Sequence, residues 1–135
     1  MNLLLDTHIF IWAVTDETKI GRKTKKLLEN PDNNLFVSAV SIWETAYLFE
    51  TKPKSLKINK PLAVFWDEAL LELRVQVLNI TQQHCQRFYE IQPVEGHSDI
   101  FDRMIIAQSA STGISVVSAD QKFPLYQMIN VISNH

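Results

Sequence analysis

Short apolar runs alternate with longer amphipathic segments along the chain, and this alternation strongly limits the fold. The apolar runs lie at residues 2–5 (NLLL), 35–38 (LFVS), 75–80 (VQVLNI) and 114–118 (ISVVS). Segments with the spacing of amphipathic helices separate them. Strands joined through helices pair in parallel, because each crossover connection places a helix over the sheet. We therefore predict an α/β fold, a three-layer α/β/α sandwich with a central parallel sheet.

Six segments have the periodicity of helices, at residues 8–14, 18–30, 39–50, 61–74, 81–91 and 100–112. Three residues mark helix ends. Pro61 suits a first turn, Thr81 is a good N-cap residue, and Gly113 suits the left-handed residue that follows a helix. Residues 92–98 (QPVEGHS) are predicted to form a loop.

Size and composition indicate one globular domain spanning residues 1–135. The chain is 46% hydrophobic and 21% charged, and it contains no repeat or linker. Cys85 is the only cysteine, which excludes an internal disulfide and favours a reducing compartment, so we expect a cytoplasmic protein. Asp6 interrupts the first apolar run, and no run approaches the roughly 18 residues that span a bilayer. We expect neither a membrane segment nor a signal peptide.

Positive charge is concentrated in two places, although the formal net charge is −2. Nine of the thirteen Lys and Arg residues lie in basic cluster 1 (Lys19, Arg22, Lys23, Lys25 and Lys26) or basic cluster 2 (Lys52, Lys54, Lys57 and Lys60). Such clusters are most often solvated surface. They are also the candidates for contacting phosphate groups.

Four carboxylates occupy positions that suggest a common location. Asp6 ends the first apolar run, and Asp120 lies two residues beyond the last. Glu44 lies six residues after the second run, and Asp102 lies near the start of the last helix. Because open α/β sheets bind ligands at the carboxyl edge of their strands, the four side chains can converge there.

Each acid also has an ordinary structural explanation. Asp6 is a common type of N-cap residue, and Ser41 and Glu44 match the capping-box pattern S-x-x-E. Acids in a first helical turn are favoured by the helix dipole, and acids in turns are common. Against this, carboxylates in apolar segments need a cation or hydrogen-bond donors to offset desolvation. From the residues alone, both interpretations remain open.

A convergent site would suit a hard metal ion. Its ligands would be oxygens, which favour Mg²⁺ or Mn²⁺ over zinc or copper. The chain has no HExxH motif, no G-x-S-x-G nucleophile elbow and no glycine-rich loop after its first strand. The carboxylates can instead hold one or two metal ions that activate a water and stabilise the leaving oxygen in phosphodiester hydrolysis.

Four segments resemble the motifs of the PIN-domain ribonucleases. They are LLLDTHIFIW, VSAVSIWETA, HSDIFDRMIIAQS and VVSADQKF, in the same order as in that family, and they span residues 3–123. The late motif is most similar to that of VapC-like toxins of bacterial type II toxin–antitoxin modules. This resemblance implies an α/β/α sandwich, a homodimer, cleavage of RNA that depends on Mg²⁺ or Mn²⁺, and a small cognate antitoxin protein as partner.

The resemblance also implies roles for particular residues. Asp6, Glu44, Asp102 and Asp120 match the family's acidic quartet, with Asp6 and Asp102 as the expected direct metal ligands. Asp99 matches an additional acid, Arg103 its basic neighbour, and Ser118 a hydroxyl that supports the last acid. Two positions depart from the late motif: Ser98 replaces a basic residue and Ile100 a proline. Neither is a metal ligand.

Contacts to the RNA are expected from positive charge. The candidates for holding its backbone are Lys23 and Lys26 of basic cluster 1, together with Arg103. Aromatic residues can also stack on bases of single-stranded RNA. For Phe10, Trp12, Trp43 and Phe101, however, we expect core packing, because they lie in apolar helical segments.

Two other functions remain as alternatives to a ribonuclease. The first is a PIN-fold binding module without activity, which has little reason to keep carboxylates among apolar neighbours. The second is another phosphoryl-transfer hydrolase on a doubly wound sheet, with Asp6 as nucleophile. The usual form of that site needs a second Asp two residues later, where this chain has His8.

Overall fold

A computed structural model describes residues 1–135 and contains five strands and six helices. The strands are β1 (Asn2–Leu5), β2 (Asn34–Ser38), β3 (Val75–Leu78), β4 (Ser115–Ser118) and β5 (Val131–Ser133). The helices are α1 (Thr7–Thr15), α2 (Arg22–Glu29), α3 (Ala39–Thr51), α4 (Leu62–Leu73), α5 (Gln82–Glu90) and α6 (Ile100–Thr112). None of these helices combines the length and the apolar character needed to cross a membrane.

The strands form one parallel sheet in the order β3-β2-β1-β4-β5. The chain moves from β1 outward to β2 and β3, and it later returns to the other side of β1 with β4 and β5. Leu5, at the end of β1, lies opposite Val37 of β2 and Val117 of β4. The strand order therefore reverses between β1 and β4, where sheets of this type leave a crevice at the carboxyl ends of the strands.

The leucines of β1 show that the sheet is covered on both faces. Successive side chains of a strand point to opposite faces, and Leu3, Leu4 and Leu5 are fully buried. Leu3 and Leu5 belong to one apolar cluster with Phe10 of α1. Leu4 belongs to a second cluster with Ile105 of α6. The predicted three-layer α/β/α sandwich with a central parallel sheet is confirmed.

The predicted helix over residues 18–30 is interrupted. A short turn of 3-10 helix occupies Glu17–Lys19, and α2 begins only after Gly21. A Cβ atom on Gly21 would lie 2.0 Å from the carbonyl carbon of His135. Asn134 Oδ1 accepts the backbone N–H of Gly21 at 2.8 Å. The His135 backbone takes the space beside the glycine and the Asn134 side chain binds its N–H, so the helix starts after it.

The capping box considered for Ser41 and Glu44 is wrong. α3 begins earlier, with Ser38 as its N-cap residue, and the Ser38 hydroxyl accepts the backbone N–H of Val40 at 3.0 Å. Ser41 and Glu44 therefore lie inside the helix. The Glu44 carboxylate has no capping role there.

Other local predictions have mixed outcomes. Thr81 caps α5, and Gly113 ends α6 in the left-handed region with φ of 77°. Phe10 is a core residue, as expected. Trp43 is not, because it is 58% exposed and packs edge-to-face on Phe101 with ring centroids 5.0 Å apart.

Candidate active site

Asp6 lies where β1 ends and α1 begins. It is the N-cap residue of α1, and its Oδ1 accepts the backbone N–H of Ile9 at 3.0 Å. Its Oδ2 accepts a hydrogen bond from the hydroxyl of Ser118, at the end of β4. Asp6 is 5% exposed. Because each carboxylate oxygen has two lone pairs, Asp6 can cap the helix and still offer lone pairs to a ligand.

Ser118 connects the acids at the ends of β1 and β4. Besides donating to Asp6, its hydroxyl oxygen accepts the backbone N–H of Asp120 at 3.0 Å. Asp120 Oδ1 accepts the backbone N–H of Lys122 at 2.8 Å. One hydroxyl therefore holds two acids in position across the point where the strand order reverses.

Glu44 reaches the same edge of the sheet from the second turn of α3. It is 6% exposed, and its Oε1 is buried without a hydrogen-bond partner. Buried polar atoms in proteins nearly always have a partner. The unpartnered oxygen therefore marks a place for a cation or a water molecule.

Asp102 lies in the first turn of α6, and Asp99 is the N-cap residue of that helix. Asp99 Oδ1 accepts the backbone N–H of Phe101 at 2.9 Å and that of Asp102 at 3.1 Å. The Asp102 side chain is 19% exposed. Asp99 thus fixes the start of the helix that presents Asp102.

These acids share one open pocket. Its volume is about 370 Å³, and its lining residues are Asp6, His8, Trp12, Glu44, Asp99, Asp102, Ala119 and Asp120. The structure therefore brings together the four acids singled out in the sequence and Asp99, the additional acid that the resemblance names.

The residues expected to contact RNA do not line this pocket. The guanidinium of Arg103 lies over the Phe88 ring of α5, 4.3 Å from its centroid. Successive residues on a helix diverge by roughly 100°, so Arg103 points away from the site that Asp102 faces. Lys23 and Lys26 lie exposed on α2.

The pocket is electrostatically unfavourable for its own carboxylates. Burial raises the pKa of Asp102 to about 8, with further contributions from the charges of Asp99, Glu44, Asp6 and Asp120. Burial is also the main cause of the raised pKa of Asp6 and of Glu44. A divalent cation would offset this repulsion and would give the unpartnered Glu44 oxygen a partner, so the oxygen donors fit Mg²⁺ or Mn²⁺.

His97 is a site residue that the sequence reasoning missed. It lies 5% exposed in the loop before α6. One ligand atom each from His97, Asp102 and Asp120 lie within 4.8 Å of one another. The sequence signal that could have identified His97 is its position five residues before Asp102, inside the late motif. The sequence showed no partner for it, because that partner is distant in the chain.

The partner is Tyr126. Its hydroxyl oxygen accepts the backbone N–H of Val94 at 3.2 Å and lies 2.6 Å from His97 Nδ1. Because that oxygen already accepts from Val94, we assign the hydroxyl proton to a bond with Nδ1 and the proton of the neutral ring to Nε2. Nε2 lies 3.4 Å from Asp102 Oδ2. His97 in this tautomer orients the Asp102 carboxylate, and burial lowers the pKa of His97 and favours the neutral ring.

Replacing Tyr126 with Phe is expected to weaken the binding of Mn²⁺ by about tenfold, because groups that orient a metal ligand typically contribute 10- to 100-fold to affinity. The change removes the hydroxyl that sets the His97 tautomer and leaves the ring volume in place. Calorimetric titration with Mn²⁺ measures the effect. Tyr89→Phe, at an 88% exposed position, is the matched control. Equal affinities of the two variants would show that Tyr126 has no role in orienting Asp102.

Comparison with known proteins gives a family and a fold. The model of the PIN domain matches residues 3–127. VapBC2 from Rickettsia felis bound to a promoter DNA fragment has 13% identity and a TM-score of 0.71, with 100% of each chain covered. A toxin–antitoxin complex from Klebsiella pneumoniae has 18% identity and a TM-score of 0.61, with 96% of this chain and 95% of that chain covered.

A third similar structure is VapBC-5 from Mycobacterium tuberculosis, a member of the VapBC family of toxin–antitoxin systems. It has 18% identity and a TM-score of 0.56, with 99% of this chain and 98% of that chain covered. No curated protein sequence matches the chain. The fold is therefore that of the VapC-like proteins, and because the family model covers nearly the whole sequence, the chain belongs to the PIN domain family.

Proposed function

We propose that the chain is a metal-dependent endoribonuclease and the toxin of a bacterial toxin–antitoxin module. The observation that carries this proposal is the convergence of four carboxylates from separate elements in one pocket, with a buried Glu44 oxygen that has no partner. The pocket lies at the carboxyl edge of the sheet, where the strand order reverses. Family membership supports nuclease chemistry at this place.

The residues of the pocket have distinct proposed roles. Asp6 and Asp102 are the direct metal ligands, and Glu44 and Asp120 complete the ligand set. Bound there, Mg²⁺ or Mn²⁺ would activate a water and stabilise the leaving oxygen of a phosphodiester. Asp99 and Ser118 are positioning residues, through the start of α6 and through the hydroxyl bonds described above.

The alternatives have less support from the geometry. A binding module without activity has no need of buried carboxylates whose pKa values burial raises. The pocket gives an aspartyl nucleophile at Asp6 no distinct support, because its oxygen donors suit a bound metal ion. The exposed His8 also stands where that mechanism needs a second acid.

We also infer a cognate antitoxin protein and a homodimer, in a single domain of residues 1–135 that acts in the cytoplasm. The similar structures include toxin–antitoxin proteins, which supports the first partner. Exposed apolar side chains on α3 and α6, the helices that carry Glu44 and Asp102, support a protein partner: Trp43 is 58%, Tyr47 53% and Ile100 52% exposed. Such a surface suits an amphipathic helix.

Cleavage of a panel of structured RNAs in Mg²⁺ tests the proposed function. We expect site-specific cleavage by the wild-type chain and at least about a 100-fold slower reaction for Asp6→Asn, because a ligand of the catalytic metal is removed. Asp67→Asn, an exposed carboxylate on α4, is the matched control. Cleavage of no RNA by the wild type, or equal rates for both variants, would overturn the proposal.

RNA binding is expected to depend on basic cluster 1. Lys23 and Lys26 form no salt bridge, so their charges are available to phosphates. Each cluster also contains paired lysines, Lys25 in basic cluster 1 and Lys57 and Lys60 in basic cluster 2. Lys23→Ala combined with Lys26→Ala should weaken binding. For each lysine that binds a phosphate of a single strand, its removal should reduce the slope of log affinity against log salt by about 0.7.

The comparison variant for this measurement is Lys52→Ala combined with Lys54→Ala. These two lysines of basic cluster 2 form no salt bridge in the structure. Binding titrations at several salt concentrations give the affinity and the slope for both double variants. A fall in affinity and slope only in the Lys52 and Lys54 variant would assign the RNA contact to basic cluster 2.

A further inference from the structure

One wall of the acidic pocket is aromatic and carries no carboxylate. His8 and Trp12 both line the pocket, and they lie one helical turn apart on the same side of α1. Their ring centroids are 5.5 Å apart, with an angle of 51° between the ring planes. His8 is exposed and Trp12 is half-buried. This wall is therefore open to solvent beside the acids.

A lysine lies over the same wall. Nζ of Lys19 is 5.3 Å from the centroid of a Trp12 ring, which is a cation–π distance. The Lys19 backbone is held in place, because its N–H donates to the Asp16 carbonyl at 3.1 Å and its carbonyl accepts the Asn134 side-chain N–H at 2.8 Å. Lys19 forms no salt bridge with an acid. Its ammonium group is therefore available to an anion.

The arrangement of these groups matches the chemistry along a nucleic-acid strand. The carboxylates lie beside the start of α1, and the rings of His8 and Trp12 follow along that helix. Lys19 lies over the Trp12 ring, the farther of the two from the start of the helix. Aromatic rings stack on bases of any sequence, and lysines contact phosphates. We propose that His8, Trp12 and Lys19 form a subsite for the nucleotide next to the scissile phosphate, an inference that rests on the proposed ribonuclease function. The base lies against the rings, and the adjacent phosphate lies at Lys19.

This subsite selects a single-stranded segment. A base within a duplex is already paired and stacked, so its face is not available to an aromatic side chain. The subsite also supplies attraction that the pocket lacks, because a cluster of carboxylates repels the phosphates of an approaching strand. Stacking and the Lys19 charge both act outside that cluster.

Tryptophan fluorescence tests the subsite without any cleavage. Trp12 becomes the only tryptophan when the other two are replaced, as Trp43→Phe and Trp66→Phe. The probe is a short single-stranded oligouridine in EDTA at low salt, compared with a duplex RNA of the same length. We expect the single strand to quench Trp12 fluorescence and the duplex to leave it unchanged. No quenching by the single strand, or equal quenching by the duplex, would overturn the subsite.

Substitutions in the wall test it independently. Trp12→Leu should weaken binding of the oligouridine about tenfold, within the range known for a base stacked on an aromatic residue. Lys19→Gln should lower the salt slope by about 0.7. Arg87→Gln, an exposed positive charge on α5, is the matched control. Trp12 also packs against the core, so Trp12→Leu can fail to fold. In that case His8→Ala and Lys19→Gln, at exposed positions, test the subsite instead.

Cleavage kinetics separate this subsite from the ribonuclease itself. In Mg²⁺, His8→Ala and Lys19→Gln should raise KM severalfold while kcat stays close to that of Arg87→Gln. Unchanged KM and unchanged binding in both variants would overturn the subsite and leave the ribonuclease intact. A chain that binds the oligouridine through Trp12 but cleaves no RNA would overturn the ribonuclease and leave the binding site.

Discussion

Asp102→Asn is expected to abolish RNA cleavage while raising the melting temperature of the metal-free protein at pH 8.5. The substitution removes a proposed direct metal ligand, so turnover should fall below detection. It also removes the carboxyl whose pKa burial and neighbouring acids raise to about 8. A group with a raised pKa in the folded state contributes full stability below its unfolded pKa and loses that contribution as the pH rises toward the folded value.

The sign and size of the stability effect follow from this shift. The ordinary pKa of Asp is 3.8, so the metal-free wild type should lose stability as the pH rises from 4 to about 8, on the order of a few kcal/mol. The neutral Asn side chain has no such dependence. Asp102→Asn should therefore melt about 5–10 °C above the wild type at pH 8.5, and the difference should shrink at pH 5.

Thermal melting in EDTA at both pH values measures this effect, with Asp67→Asn as the control. The Asp67 side chain is exposed on α4, so its removal should change little at either pH. A large fall in melting temperature for Asp102→Asn at pH 8.5 would show that the Asp102 charge is structural. Asp102 would then not be a metal ligand.

The second large effect concerns the identity of the ion. RNA cleavage should occur with Mg²⁺ or Mn²⁺ and be at least about 100-fold slower with Ca²⁺, because Ca²⁺ takes longer bonds and more ligands than a hydrolytic site of this kind tolerates. Asp6 is held by hydrogen bonds to Ile9 and Ser118, and Asp6 and Glu44 are buried, which limits the adjustment of the pocket to a larger ion. Initial rates in each ion at equal concentration measure the difference. Equal rates in Ca²⁺ and Mg²⁺ would contradict this selectivity.

The position of the site was predictable because it depends on topology and local pattern. The carboxyl ends of parallel strands lie at the same edge of a sheet. The alternation of strands and helices was therefore enough to predict that Asp6 and Asp120 lie at that edge. For Asp6, capping and participation in the pocket appeared as alternatives in the sequence. The structure shows that one carboxylate does both, because one oxygen caps α1 and the other binds Ser118.

The features that escaped prediction depend on contacts between distant residues. His97 is placed by Tyr126, which is 29 residues away. The interruption before α2 depends on His135, which packs against Gly21 from the far end of the sequence. β5 has three residues at the edge of the sheet, too few for a periodic signal.

Trp43 was misplaced for a different reason. A tryptophan at helical spacing among apolar residues resembles a core residue, whereas here Trp43 is exposed and packs edge-to-face on Phe101. Apolar residues on a helix surface that binds a partner have the same spacing as apolar residues that face a core. The pattern alone does not distinguish the two.

A combined titration of Mn²⁺ binding and RNA cleavage tests the metal-dependent ribonuclease most directly. Electron paramagnetic resonance follows free Mn²⁺ while the cleavage rate is measured in the same samples. For the wild type, the rate should rise with the bound fraction and vanish in excess EDTA. Asp102→Asn should lose both binding and cleavage over the same concentration range. Full cleavage in excess EDTA, or a normal cleavage rate for Asp102→Asn, would contradict metal-dependent hydrolysis in the acidic pocket.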